Sequence, residues 1–187
     1  MSLNRFNFAA LPVSPWRNGG GETREIVSWP PGAQDFDWRA SIATIAQDGP
    51  FSAFAGIDRS ITLLEGDGVR LYSAGHIDHQ LAQIGEPFAF SGDVALEATL
   101  LGGASQDFNI MTRRGRLVAQ VQRSAEPLTL PPGRAGVLYV LSGLWSLPGG
   151  GELSAREGVW WAAQAASGEV KPLTADGAIL WAGITAC

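Results

Sequence analysis

The sequence predicts an all-β fold with few or no helices, arranged as two fused barrels. Three observations carry that expectation. Short apolar runs alternate with a period of two, as strands with one buried face do. Turn signals rich in Gly, Pro and Asp separate those runs at regular spacing. No window of eleven or more residues combines a helical period with capping residues at its ends.

In chain order, "PWRNGGGETREI" (Pro15 to Ile26) is a glycine-rich turn leading into a strand. "FDWRASIATI" then alternates: Trp38, Ala40, Ile42 and Thr44 face one way, and Arg39, Ser41, Ala43 and Ile45 the other. Further strands are expected at "RSITLLE", "GVRLYS", "PFAF", "VALEATLL", "RLVAQVQ", "GVLYVLS", "GVWWAAQ" and "AILWAGI". The turns between them read "DGP", "GDG", "SGD", "PPG", "PGGG" and "ADG".

A loose internal echo suggests the duplication. "ITLLEGDGVRL" (Ile61 to Leu71) and "LYVLSGLWSL" (Leu138 to Leu147) both run strand, tight glycine turn, strand, about 75 residues apart. Each is followed by a loop and a second strand entry, "GEPFAFSGD" and "AREGVWWAA". That is the rhythm of a cupin half-barrel, so two fused cupin-like barrels (a bicupin) are expected. Two ordinary hairpins would give the same echo. The polar, proline-rich "QRSAEPLTLPPG" is the natural seam, giving units 1–122 and 123–187 packed as one globule.

Bulk composition bounds the function. The chain has 187 residues, 45% hydrophobic and only 17% charged, enough apolar material for a sizeable core. A net charge of -5 and the absence of any basic run longer than "RRGR" speak against nucleic-acid binding. No apolar stretch approaches the roughly 20 residues of a membrane helix, and the N-terminus lacks the apolar region of a secretory signal. The single cysteine, Cys187, cannot form a disulfide framework. A cytoplasmic protein is expected, with neither nucleic acid nor membrane as partner. Of its 13 basic residues only Lys171 is lysine, a bias that a G+C-rich genome also explains, so each arginine must be judged by position.

The histidines bear on metal. His76 and His79 are the only two, spaced so that an extended segment points them to opposite faces. With no third imidazole and no thiolate nearby, no metal and no other cofactor is expected. There is no Gly-x-Ser-x-Gly elbow and no phosphate loop. Paired carboxylates (Glu22 with Glu25, Asp35 with Asp37) carry no sign of convergence.

Polar residues instead gather in three separated motifs. Gly19 to Gly21 permit close backbone approach, and Asn18, Thr23 and Arg24 flank them. Arg39 and Ser41 share one strand face, and "QDGPFSAFAGIDRS" sets Phe51 and Phe54 between Asp48 and Arg59. "QDFNIMTRRG" puts Asp107, Asn109 and Met111 on one face. A buried face bearing such groups is costly unless they bind one another or a ligand.

At these residues the sequence resembles the HutD/Ves family. The matching pieces are "PWRNGGGETREI", "FDWRASIATIAQDGPFSAFAGIDRSITLLEGDGVRL", "PFAFSGD" and "DFNIMTRRG", in the family's order over residues 15 to about 116. The resemblance implies a metal-free two-barrel cupin and a small-molecule-binding, regulatory role alongside histidine utilisation. Urocanate, formylated glutamate and formate are the candidate ligands it suggests. The family's pocket motif falls on Trp16, Asn18, Gly19, Gly20, Thr23, Arg24, Arg39, Ser41, Arg59, Asp107, Asn109 and Met111. Arg17 stands where the motif has Lys.

Three readings follow. In the first, a small carboxylate is clamped by Arg39 or Arg24, with the Gly19 to Gly21 backbone as auxiliary donor. In the second, a metal-free isomerase or hydrolase acts on the same acids with Asp107, Glu22 or Asp48 as general base. In the third, tryptophans such as Trp145, Trp160 and Trp161 form a docking or homodimer surface. The first is favoured, with no catalytic residue beyond the weak candidate Asp107.

Overall fold

A computed structural model describes residues 2–163 and 167–187. The strands in chain order are β1 (Asn4–Asn7), β2 (Val13–Pro15), β3 (Gly21–Trp29), β4 (Trp38–Ile45), β5 (Gly49–Phe51), β6 (Ile57–Glu65) and β7 (Val69–Ser73). They continue with β8 (Ile77–Leu81), β9 (Pro87–Ser91), β10 (Leu96–Leu100), β11 (Ser105–Arg113), β12 (Leu117–Ser124) and β13 (Leu128–Leu130). The last are β14 (Ala135–Ser142), β15 (Trp145–Ser146), β16 (Glu152–Leu153), β17 (Glu157–Trp161), β18 (Gly168–Pro172) and β19 (Ala178–Ala186). Among the described residues the only helical element is a single 3₁₀ turn, Phe8–Ala10. The strand runs read from the sequence all fall on these elements, except that Gln164, which ends "GVWWAAQ", lies outside the described residues.

Two compact units make up the chain. The first is Pro12–Val118 with Cys187, and the second joins Met1–Leu11 to Ala119–Ala186. The expected seam after residue 122 therefore shifts slightly, and the N-terminal strand changes sides. β1 pairs antiparallel with β17, Asn4 opposite Trp160 and Phe6 opposite Gly158. That pairing spans most of the chain, and no local sequence signal reports it.

Each unit contains two sheets. The first has a six-stranded sheet, ordered β2-β3-β4-β11-β6-β9, and a four-stranded one, β5-β10-β7-β8. The second has β1-β17-β14-β19-β12 and β13-β18-β15-β16. The expectation of closed barrels is thus corrected, because the ladders stop at sheet edges instead of running round. Prolines mark two of those edges: β2 ends at Pro15 and β9 begins at Pro87, and neither has an N–H to extend a ladder.

Within the first unit, β4, β11 and β6 form the centre of the larger sheet. Arg39, Met111 and Arg59 stand in one row across these strands. Ser41, Asn109 and Ile61 form the next row, and Ala43, Asp107 and Leu63 the one after. Apolar side chains from both sheets, including Ile45, Val69, Leu71, Leu81 and Leu96, pack with Ile61 and Leu63 of these rows to form the core. One face therefore grades from polar to apolar along the strands.

The second unit fills its interior differently. Leu138, Val140, Trp145, Val159, Trp161 and Ile179 pack as one buried cluster. The indole N–H of Trp161 donates to the Arg134 carbonyl at 2.8 Å, and that of Trp145 to the Ser142 carbonyl at 3.3 Å. Both large rings are buried with their one polar atom satisfied by backbone.

Candidate functional site

The polar end of the first unit's interior opens into a cavity of about 490 Å³. Strand alternation decides which side chains reach it. On β4, Arg39, Ser41 and Ala43 line it, while Trp38, Ala40 and Ile42 are buried on the opposite face. β11 contributes Asn109 and Met111, β6 contributes Arg59, and β3 contributes Thr23. The loop before β3 supplies Trp16 and Asn18. Of the residues named from sequence, Trp16, Asn18, Thr23, Arg39, Ser41, Arg59, Asn109 and Met111 are thus gathered around one space.

Four named residues do not line it. Arg24 follows Thr23 on β3 and alternates to the other face, where it lies 3.6 Å from Glu22. The N–H of Gly19 donates to the Trp16 carbonyl at 3.0 Å, and that of Gly20 to Asn18 Oδ1 at 2.8 Å. Those backbone donors are spent on shaping the turn. Gly19 takes φ +73°, the left-handed region that favours glycine. A side chain on Gly21 would strike the Thr44 carbonyl and the Trp16 ring. The glycines therefore seat Trp16, whose indole N–H donates to Thr23 Oγ1 at 2.8 Å and whose ring meets Phe51 edge-on at 5.7 Å.

Asp107 is the fourth. It is completely buried on the same face of β11 as Asn109, one row further from the opening. Its Oδ1 accepts from Ser105 Oγ at 2.9 Å, and its Oδ2 has no partner. Burial pushes its carboxyl up to about 7, against the opposing pull of the Ser105 hydrogen bond. The other acids weighed as bases also lie away from the lining. Glu22 neighbours Arg24, and Asp48 Oδ1 accepts from the Leu100 N–H at 2.8 Å.

Arg59 is the centre of the site. Only 7% of it is exposed, yet among the described residues no carboxylate pairs with it. Its Nη1 donates to the Ser52 carbonyl at 3.4 Å and its Nη2 to Asn109 Oδ1 at 3.3 Å, both long. Its Nε is buried without a partner. The rings of Phe51, Phe54 and Phe90 surround the guanidinium at 5.9, 5.2 and 5.1 Å from their centroids. These faces stabilise a cation without occupying its hydrogen-bond donors. Burial, then the neighbouring Arg39 charge, pull its pKa down to about 10, so it stays cationic at neutral pH. Asn109 is held in turn by donating from Nδ2 to the Asp107 carbonyl at 3.3 Å.

Arg39, the other interior arginine, is already paired, its Nε 3.0 Å from Glu25 Oε1. Of the two interior arginines, Arg59 is thus the one with no carboxylate partner among the described residues. Reading the sequence motif by motif left out Pro15, Arg17, Ala43, Pro50, Phe51, Ser52 and Phe54, which also line the space. The phenylalanines of "GPFSAF" were visible as a cluster, but nothing local showed that they enclose Arg59.

The two histidines lie elsewhere. His76 is exposed in a turn, and His79 on β8 stacks on Phe88 with ring centroids 3.9 Å apart. Among the described residues no cluster of three or more His, Cys, Asp or Glu is placed to hold a metal, and no helix is long and apolar enough to cross a membrane.

The model of the HutD family matches residues 9–181. Among curated relatives, the protein Ves of Cronobacter sakazakii is 43% identical over 96% of this chain and 97% of its own. Among solved structures, HutD from Pseudomonas fluorescens SBW25, solved in a formate condition, superposes over the whole of both chains with a TM-score of 0.85 at 27% identity. The cupin-like fold extends to distant proteins. The formate complex of Lactobacillus farciminis oxalate decarboxylase matches with a TM-score of 0.68 over 98% of this chain and 86% of that one, at 8% identity.

Proposed function

For a chain that belongs to the HutD family, with a buried and unpaired arginine facing an open cavity, we propose the binding of a small carboxylic acid in the first unit. Binding serves a regulatory role in histidine utilisation, and the two units act as the halves of a bicupin. One observation carries the ligand class: Arg59 is a desolvated cation with unfilled donors and no carboxylate partner among the described residues. Leaving such a group unsatisfied costs about 1–3 kcal/mol, more when it is charged. A planar carboxylate, accepting two parallel N–H bonds, would recover that cost.

The walls limit the rest of the ligand. Trp16, Phe51 and Phe54 offer flat apolar surface, and Ser41, Thr23 and Asn109 offer directed polar atoms. A space of about 490 Å³ admits acids well beyond formate in size, so urocanate and formylglutamate are candidates as well. Formate, the condition named for the Pseudomonas HutD structure, is the smallest acid of the same chemistry. Among the described residues no acid lines the cavity itself, which favours an anionic ligand.

The test is a thermal-shift screen against urocanate, formate, formylglutamate, glutamate, histidine and unrelated acids. Ligand at a hundred times its Kd stabilises by about 2.7 kcal/mol. For a chain of this length that raises Tm by roughly 5–10 °C. A selective rise with one acid, absent in Arg59→Ala, is the expected result. No rise with any acid would remove the reading.

A further inference from the structure

We infer that Glu25 is a specificity-determining residue that restricts the cavity to ligands carrying a single negative charge. The inference rests on the carboxylate reading above and narrows its ligand class to monoanions such as urocanate and formate, setting aside formylglutamate, which carries two carboxylates. Apart from Arg17, which is exposed in the loop before β3, two buried or half-buried guanidiniums serve the site, Arg59 and Arg39, and they are close enough for the charge of Arg39 to depress the pKa of Arg59. Without Glu25 the pair would present two positive charges and would favour a dianion.

The arrangement removes one of them. Glu25 stands opposite Ser41 where β3 meets β4, and Arg39 lies two residues along β4 from Ser41. The carboxylate reaches diagonally to Arg39, Oε1 to Nε at 3.0 Å. Arg39 is 23% exposed and Glu25 45%, so the acid is the more exposed member of the pair. Arg39 lines the cavity and Glu25 does not. A ligand therefore meets the Arg39 side chain with its charge already balanced by Glu25. A first carboxylate finds Arg59 unpaired. A second finds a neutralised cation backed by a fixed negative charge, and juxtaposing like charges is a recognised way of rejecting a wrong partner. Glu25 thus acts as a built-in stand-in for the second acid group.

The experiment uses two acids of equal size that differ by one charge, succinamate and succinate, titrated calorimetrically at millimolar concentration. The full-length protein, Glu25→Gln and Arg59→Met are compared. Glutamine retains the shape of Glu25 at a half-exposed position, and Tm verifies that the fold is kept. The wild type is expected to bind succinamate more tightly than succinate. In Glu25→Gln the affinity for succinate should rise about tenfold, with succinamate changing less than about threefold. Binding of succinamate should be lost in Arg59→Met.

If binding depends on Arg59 but the succinate-to-succinamate ratio is unchanged by Glu25→Gln, this inference fails alone. Equal loss of both acids in Glu25→Gln would also overturn it, since Glu25 would then merely position Arg39. If succinamate binds Arg59→Met as well as it binds wild type, the carboxylate reading falls and takes the inference with it; if neither acid binds any of the three proteins, the inference falls and the screen above decides the carboxylate reading.

Discussion

Across β4, β11 and β6 of the first unit, the inward positions carry Arg39, Ser41, Asn109, Met111 and Arg59. In the second unit the interior formed by β14, β17 and β19 carries Leu138, Val140, Val159, Trp161 and Ile179. Both are antiparallel sheets with regular registers, so backbone pairing does not distinguish them. The difference lies in what can close-pack. Branched aliphatics and indoles interdigitate to crystal-like density. A guanidinium, an amide and a hydroxyl cannot share a dry interior without leaving donors unmet. The polar rows of the first unit consequently stay open, and the tryptophans of the second fill its centre. One unit holds a site, and the other holds its own core.

The largest effect should come from emptying the filled interior. Trp161→Ala removes a ring that is 2% exposed and the hydrogen bond to Arg134, and should cost about 3–5 kcal/mol in chemical denaturation. A loss below about 1 kcal/mol would break the contrast, because that interior would then be loose.

A smaller effect should follow from adding one carbon to the turn that seats Trp16. Gly21→Ala places a methyl against the Thr44 carbonyl and the indole, and overpacking of this kind costs about 1–3 kcal/mol. Because the indole is a wall of the cavity, acid binding should weaken as well. Unchanged stability and unchanged binding would show that the glycine is dispensable there.

Asp107 sharpens the comparison through pH. Its folded pKa of about 7 lies above its ordinary value of 3.8, so between those values the folded state holds a proton that the unfolded state has lost. Its contribution is fully present below about 3.8, falls as pH rises, and levels off above about 7. The slope is at most about 1.4 kcal/mol per pH unit. Asp107→Asn, which cannot ionise, should lack this component and should gain on wild type above neutrality. Parallel stability profiles of the two proteins from pH 5 to 8 would mean that the buried carboxyl keeps an ordinary pKa.

Much of this was legible in the chain. The alternation of "FDWRASIATI" puts Arg39 and Ser41 on one face of its strand, and that of "DFNIMT" puts Asp107, Asn109 and Met111 on one face of another, because a strand's two-residue period is local physics. The role of Arg59 was not legible in that way. What distinguishes it is a set of long-range neighbours, Phe51, Phe54, Phe90 and Asn109, and the lack of a carboxylate beside it. The glycines of "NGGG" looked like ligand donors because their free N–H groups are real in a turn, but hydrogen bonds within the turn claim those of Gly19 and Gly20. The pairing of β1 with β17 depends on residues 150 or more positions apart and leaves no trace in the first eleven residues.

The most direct test of the central claim is calorimetric binding of the best acid from the screen to Arg59→Met, with thermal unfolding of the same sample. Methionine keeps the apolar contact with the three phenylalanines and removes the unpaired charge. Affinity should fall at least about a hundredfold, the loss of a charge-assisted bidentate contact, while stability without ligand stays within about 1 kcal/mol of wild type. Undiminished binding by a folded Arg59→Met would contradict the account, because the buried cation would then not be what the cavity is built around.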